Sequence, residues 1–147
     1  MRLLGHPVHV MLIHFPVALW PAHWGFHLLA GRLPVGLAGA AGFWLLVAGT
    51  GLGWLAAACG GMDLIALSQG EDRRMVTGAW QHGLVNGTVL LGFTVLLGLE
   101  LPRYPQVTHG PAFLAVEAAL LAVLTVGNYL GGRLVWAARP APSADLT

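Results

Sequence analysis

Hydrophobic positions along this chain fall into four long runs, separated by short breaks that are polar or rich in glycine and proline. The runs cover about residues 7–29, 36–60, 76–101 and 111–137. Each is longer than the ~20 apolar residues that cross a bilayer as a helix. Strands of a membrane barrel are excluded, because they show ~10-residue segments of alternating hydrophobicity. The pattern predicts an all-α integral membrane four-helix bundle.

The composition agrees with a chain that lies in lipid. Of its residues 56% are hydrophobic and only 9% are charged, and its mean hydropathy is +0.72. Soluble domains have roughly 25% charged residues. We expect one transmembrane domain over residues 1–137 and a short flexible cytoplasmic tail over 138–147. The first run is expected to stay in the mature protein, because no basic segment with a short apolar core precedes a cleavage site.

The distribution of arginines predicts the orientation. One end of the four-run topology has five arginines and the other has only Arg32 and Arg103; the five are Arg2, Arg73, Arg74, Arg133 and Arg139. The positive-inside rule therefore places both termini and the link between the second and third runs in the cytoplasm. A net charge of +1 gives no reason to expect a nucleic-acid partner, and the single Cys59 excludes two-cysteine metal motifs within the chain.

Polar residues near the cytoplasmic ends of the runs predict one inward-facing layer. Ionisable side chains inside a membrane are costly and usually face the bundle interior. His82 and Asn86 are four residues apart and share a helical face. All four runs contribute to this layer, with His6, His9, His14, Asp63, His82, Asn86 and Asn128.

Haem binding is the leading functional hypothesis for this layer. His14 and His82 lie within apolar runs on different helices and are the strongest candidates for axial ligands, while His6 and His9 lie closer to the interface. Asn86 and Asn128 are candidate partners for the second imidazole nitrogens, and Arg74 for the propionates. Two imidazole ligands suit electron transfer. We therefore expect a membrane-embedded b-type electron-transfer protein with haem b.

Two other functions remain open. A zinc, copper or iron ion, bound or transported, would suit His14, His82 and Asp63. In the second alternative, the chain is a non-catalytic accessory subunit of a membrane redox complex. The polar residues of the chain then serve only to fix the packing of its helices. In each case an electron carrier or subunit is favoured over a stand-alone enzyme, and the expected partners are the lipid bilayer and a second copy of the chain in a homodimer.

A second group of ionisable residues lies toward the other face of the membrane. His23 and His27 have the i, i+4 spacing of a chelating pair, and His109 and Glu117 lie at or near the start of the fourth run. An interfacial aromatic belt explains the surroundings of the two histidines equally well. At 100° per residue, His9 and His27 share a face while His14 points about 140° away.

Four motifs in order resemble a known bacterial family. They are "GHPVHVMLIHFP", "GGMD", "HGLVN" and "NYLGGRLVW", and the resemblance covers about residues 5–136. The family is one of small four-span membrane proteins known only as a domain of unknown function, number 2231. Val10 stands where members typically have proline, and a further glycine-bearing segment is absent. Some relatives occur beside Rieske-type domains. The resemblance therefore implies a redox role with a Rieske-type or cytochrome protein as partner, and a location in the bacterial inner membrane.

Overall fold

The fold was analysed in a computed structural model that describes residues 2–3, 6–34 and 36–137, with side chains over 8–34 and 36–136. Five α-helices account for most of these residues: α1 Val8–Leu12, α2 His14–Leu28, α3 Leu37–Ser68, α4 Arg73–Glu100 and α5 Pro111–Ala137. Two short strands, β1 Arg2–Leu3 and β2 His6–Pro7, pair antiparallel. The predicted tail and the side chains of Arg2 and His6 lie outside the described residues.

The four apolar runs all form helix, with two differences from the predicted bounds. The first run is interrupted at Ile13, which separates α1 from α2. The second continues to Ser68, past the predicted end at residue 60, because its polar sequence still contains the helix-favouring stretch from Met62 to Leu67. Asp63 therefore lies on a helix, and only residues 69–72 connect α3 to α4.

Three of the described helical segments are long and apolar enough to cross a membrane. They are Leu37–Ser68, Arg73–Arg103 and Pro111–Trp136. Helix α2, with 15 residues, is shorter than the ~20 residues that a span needs. The helical membrane class is thus confirmed, and length and composition give three candidate spans among the described residues.

The helices form a closed up-and-down bundle. Helix α2 packs on α3, α3 on α4 and α4 on α5, and α5 returns to contact α2. At the centre, the rings of Trp20 and Phe93 stack with centroids 4.4 Å apart and planes 9° from parallel. Around this stack lie Leu46, Val89, Leu90, Leu96 and Leu124, all buried. This apolar core separates the polar residues at the two ends of the bundle.

The segment between α4 and α5 folds over one end of the bundle. Val107 is buried, and the backbone of this segment passes so close to Gly39 of α3 that a Cβ there would lie 2.8 Å from the Pro105 carbonyl oxygen and 2.9 Å from that of Val107. A residue without a side chain is required for this approach. The contact fixes the segment that presents His109 to the bundle interior.

Candidate metal centre

Five ionisable side chains meet beneath the segment that connects α4 to α5. They come from α2, from the last residue of α4, from the connecting segment and from α5: His23, His27, Glu100, His109 and Glu117. The accessible surfaces of His23, Glu100 and Glu117 are 0% exposed and that of His27 is 4% exposed. We call these five residues the His/Glu centre.

Glu117 lies between two imidazoles. Its Oε1 is 2.9 Å from Nε2 of His23 and 3.0 Å from Nδ1 of His109. Glu117 lies six residues after the start of α5, on the side of the helix that faces the bundle interior. Its side chain is fully buried. It therefore joins α2, α5 and the connecting segment through one oxygen atom.

Glu100 approaches the same imidazoles from the end of α4. Its Oε1 lies 3.0 Å from Nε2 of His109 and 3.4 Å from Nε2 of His23. His109 consequently has a carboxylate oxygen beside each of its ring nitrogens. Two buried carboxylates around one imidazole form a group whose charge must be balanced locally.

His23 is held in a defined orientation by the backbone of α3. Its Nδ1 lies 2.9 Å from the carbonyl oxygen of Gly42, to which it donates a hydrogen bond. The other ring nitrogen then faces the two glutamates. Fixing one imidazole nitrogen on a carbonyl is the usual way in which proteins orient a histidine for metal binding at the other.

His27 fills the space beside Gly42. A Cβ on Gly42 would overlap the imidazole of His27. The opposite face of this ring stacks on His109, with centroids 3.7 Å apart and planes 11° from parallel. Gly42 thus provides both the acceptor for His23 and the room for His27.

Many buried polar atoms of the centre lack a hydrogen-bond partner among the described residues. Both ring nitrogens of His27 and of His109, both carboxylate oxygens of Glu100, and Oε2 of Glu117 are in this state. The close contacts of His109 with the carboxylates do not have hydrogen-bond angles. An unsatisfied buried polar group costs about 1–3 kcal/mol, so this concentration of such atoms points to a ligand.

The arrangement of donor atoms fits a metal ion. One donor atom from each of His23, His27, Glu100 and His109 lies within 4.8 Å of all the others. Around an ion with bonds of about 2.1 Å, donor atoms are roughly 3.0–4.2 Å apart. These four donor atoms therefore lie close to the spacing that the ligands of one ion have.

Electrostatics supply the alternative to a metal. Burial by itself lowers the pKa of His109, but the carboxylates of Glu100 and Glu117 outweigh burial and raise that pKa to about 9. A proton on His109 therefore balances part of the negative charge when no ion is bound. That proton does not provide a hydrogen-bond partner for either ring nitrogen of His27.

At the other end of the bundle, the structure changes the predicted pairing of histidines. His14 is exposed, and the imidazole beside His82 is that of His9, with ring centroids 6.2 Å apart. The reason is helical geometry, because five residues turn His14 about 140° from His9. The expectation that His14 and His82 share an interior position is not met.

The remaining predicted site residues are only partly brought together. The amide nitrogen of Asn86 lies 3.2 Å from Nδ1 of His82. Asn128 and Asp63 are half-buried. Arg74 is exposed in the first turn of α4, where its backbone N–H is bonded to Asp72. At this end of the bundle, His9 of α1 thus lies beside His82 of α4, with Asn86 next to His82.

Sequence reasoning placed four members of the His/Glu centre in one layer but missed Glu100. That residue ends a long apolar run and resembles a boundary charge. The available signal was that Glu100 and Glu117 are the acidic residues flanking His109 in an otherwise acid-free stretch from residue 73 to 143. The function of Gly42 has no sequence signal among so many glycines.

The geometry defines a helical membrane protein whose buried histidines and glutamates are able to hold a metal ion. A family described as a predicted membrane protein, DUF2231, matches residues 5–140. The chain belongs to this family, which confirms the resemblance found in its motifs. No curated protein and no solved structure matches the chain.

Proposed function

We propose that this protein binds one divalent transition-metal ion in the His/Glu centre. The observation that supports this most is the group of buried, unpartnered nitrogen and oxygen atoms that converge from four parts of the chain. A divalent cation balances the two carboxylates while the imidazoles bind in their neutral form. It would bind one ring nitrogen of His27, which has no hydrogen-bond partner among the described residues, and one carboxylate oxygen of Glu100.

The donor set indicates the class of metal. Imidazole nitrogens suit zinc, copper, iron and nickel, whereas carboxylates also accept manganese. Three imidazoles with one or two carboxylates match zinc or iron better than magnesium or calcium, which prefer oxygen donors. Glu117 is the natural partner for ligand imidazoles, since carboxylates commonly orient metal-bound histidines.

A haem does not fit this centre, and the haem b expected from the sequence was assigned to the other layer, that of His14 and His82. The donor atoms lie within 4.8 Å of one another, and His27 and His109 stack face to face, which leaves no gap for a porphyrin. Electron transfer at this position therefore requires a redox-active ion such as iron or copper, together with a redox partner of the Rieske or cytochrome type. A zinc ion would instead indicate a structural or transport role.

We also propose that the chain crosses the inner membrane four times, with α1 and α2 together as the first pass. The two helices extend over residues 8–28, and α2 is packed along α3. With both termini cytoplasmic, the His/Glu centre lies at the periplasmic end. Fusions of alkaline phosphatase after Thr147 and within residues 104–108 test this: only the second is expected to be active.

Metal analysis of the detergent-purified chain tests the proposed function. We expect about one equivalent of a first-row transition metal per chain by elemental analysis, or after equilibrium dialysis of EDTA-treated protein against manganese, iron, cobalt or zinc. His27→Ala and Glu100→Gln are each expected to lower the metal content at least tenfold, because each removes one donor atom.

His14→Ala is the matched control, since it also removes a histidine of α2 but one that is exposed. Its metal content is expected to equal that of the unmodified protein. If EDTA-treated, folded protein takes up none of the four ions, or if His27→Ala and Glu100→Gln retain full occupancy, the proposal is wrong. The centre is then a charge network balanced by a proton on His109.

A further inference from the structure

The last two turns of α5 have two opposite sides. On one side, Gly131 and Leu134 contact α4. At 100° per residue, Tyr129, Arg133 and Trp136 lie on the opposite side. All three are exposed, Tyr129 by 66% and Trp136 by 68%. The packing of the bundle therefore leaves this side of α5 open.

A depression in this open side has the properties of a binding site for a charged headgroup. It is lined by Tyr129, Gly132, Arg133 and Trp136, and a Cβ added at Gly132 would have nothing within 4 Å. We propose that this depression, the Arg133 surface, binds the headgroup of an anionic phospholipid with its phosphate on Arg133. The proposal does not depend on the His/Glu centre, which lies at the other end of the bundle.

The Arg133 surface lies at the end of a membrane span. The apolar helix Pro111–Trp136 is long enough to cross a bilayer, and Arg133 is three residues from its end, about 4.5 Å along the axis. Tyrosine and tryptophan side chains concentrate at the level of lipid headgroups, and arginine extends its guanidinium to the same level from an apolar segment. The three side chains therefore lie at the depth of the lipid phosphates.

Arg133 brings a positive charge that has no ion-pair partner among the described residues. Glu117, the acidic residue of α5, lies 16 residues earlier (133 − 117 = 16), about 24 Å along the axis. Arg103, by contrast, donates from its guanidinium to the carbonyl oxygen of Leu99 at 3.1 Å. A guanidinium binds two phosphate oxygens at once, so a lipid phosphate is complementary to Arg133 in both charge and shape.

A phospholipid suits this surface better than a second copy of the chain. In a twofold-symmetric dimer formed through this surface, the same residues would meet, and two Arg133 guanidinium groups would repel each other. A lipid instead offers a phosphate to Arg133 and an acyl chain to apolar side chains deeper in the bilayer. Val126 and Ala122 lie on the same side of α5, about two and three turns deeper, and both are exposed. The acyl chain of a lipid with its headgroup on Arg133 would therefore lie along them.

Competition between two phospholipids tests this inference. Full-length protein is reconstituted in vesicles with equal amounts of phosphatidylglycerol and phosphatidylcholine and extracted in mild detergent, and native mass spectrometry counts the lipids that stay bound. We expect each chain to retain one phosphatidylglycerol in preference to phosphatidylcholine. Arg133→Gln is expected to lower this preference about fivefold, which is the effect of one basic residue near an anionic surface. Gly132→Leu is expected to lower retention of both lipids, because it fills the depression.

Two matched controls make the result specific. Arg74→Gln also removes an exposed arginine at this end of the bundle, and Gly83→Leu also adds a side chain at an exposed glycine whose Cβ would have nothing within 4 Å. Both are expected to retain phosphatidylglycerol as the unmodified protein does. Absence of a preference in the unmodified protein, or an equal preference in Arg133→Gln, overturns the inference. Displacement of the lipid by inorganic phosphate alone also overturns it, as does a dimer that Arg133→Gln dissociates.

Discussion

The imidazoles of His27 and His109 lie face to face, 3.7 Å apart between ring centroids, although 82 residues separate them (109 − 27 = 82). This stack joins α2 to the segment that precedes α5 and closes the top of the His/Glu centre. Neither ring has a hydrogen-bond partner for its nitrogens among the described residues. Packing that leaves both nitrogens of His27 unsatisfied is expensive unless something else binds one of them.

Replacing His27 by leucine separates a structural role from metal binding. In EDTA-treated protein we expect His27→Leu to leave the free energy of unfolding unchanged or to raise it by about 1 kcal/mol, because two unsatisfied buried nitrogens are removed. The stabilisation that added metal gives the unmodified protein, about 2.7 kcal/mol at a hundredfold excess over Kd, should disappear. Unfolding in SDS with and without the metal measures both quantities. A metal-dependent increase that persists in His27→Leu would contradict the assignment.

Adding one methyl group to Gly42 should disrupt the centre without touching a ligand. A Cβ at Gly42 overlaps the ring of His27, and overpacking of this kind costs about 1–3 kcal/mol. We expect Gly42→Ala to lose that amount of stability and most of its metal. Gly51→Ala, on the same helix with nothing within 4 Å of its Cβ, is the matched control and should keep both. Equal metal content in the two variants would show that His27 is not a ligand.

The aromatic stack at the bundle centre should dominate stability. Phe93 is fully buried against Trp20, and truncation of such a residue costs about 3–5 kcal/mol. Trp20→Phe should cost only about 1 kcal/mol, since the ring remains and the hydrogen bond to Thr50 is lost. Unfolding curves of Phe93→Ala and Trp20→Phe give the comparison. A smaller loss for Phe93→Ala than for Trp20→Phe would mean that the stack is not central to the fold.

The start of α4 depends on Asp72. Its carboxylate accepts hydrogen bonds from the backbone N–H groups of Arg74 and Met75, each at 3.1 Å. Asp72→Ala is expected to destabilise the protein by about 1 kcal/mol, whereas Asp72→Asn, which still caps a helix, should have little effect. Amide hydrogen exchange in the first turn of α4 measures the local change. Identical exchange in the two variants would rule out capping by this side chain.

The helices could be predicted from the sequence because a long apolar segment in a bilayer satisfies its own backbone hydrogen bonds only as an α-helix. The bounds of α4 and α5 differ from the expected ones by three residues or fewer. The early end predicted for α3 was wrong because "GGMD" was taken as a terminus, although the helix-favouring residues beyond it continue the helix to Ser68. A pair of glycines therefore does not end a helix when helix-favouring residues follow it.

The candidate sites were harder to predict, since periodicity gives directions but not partners. Helical angles already placed His9 and His27 on one face and turned His14 away, and the structure places both His9 and His27 inward. The preference for His14 rested instead on its depth in the apolar run. Depth selects residues that are costly to expose but does not say which side of the helix they occupy. The role of Glu100 could not be predicted, because it depends on how the segment between α4 and α5 folds back and brings His109 beside it. No local sequence pattern indicates that fold.

The apolar core also has a consequence for traffic through the bundle. Trp20, Leu46, Val89 and Phe93 are at most 3% exposed and fill the cross-section midway between the two groups of histidines. In this conformation, a hydrated ion at one group of histidines is separated from the other group by this apolar core. The bundle therefore offers no polar path through this core from one group of histidines to the other.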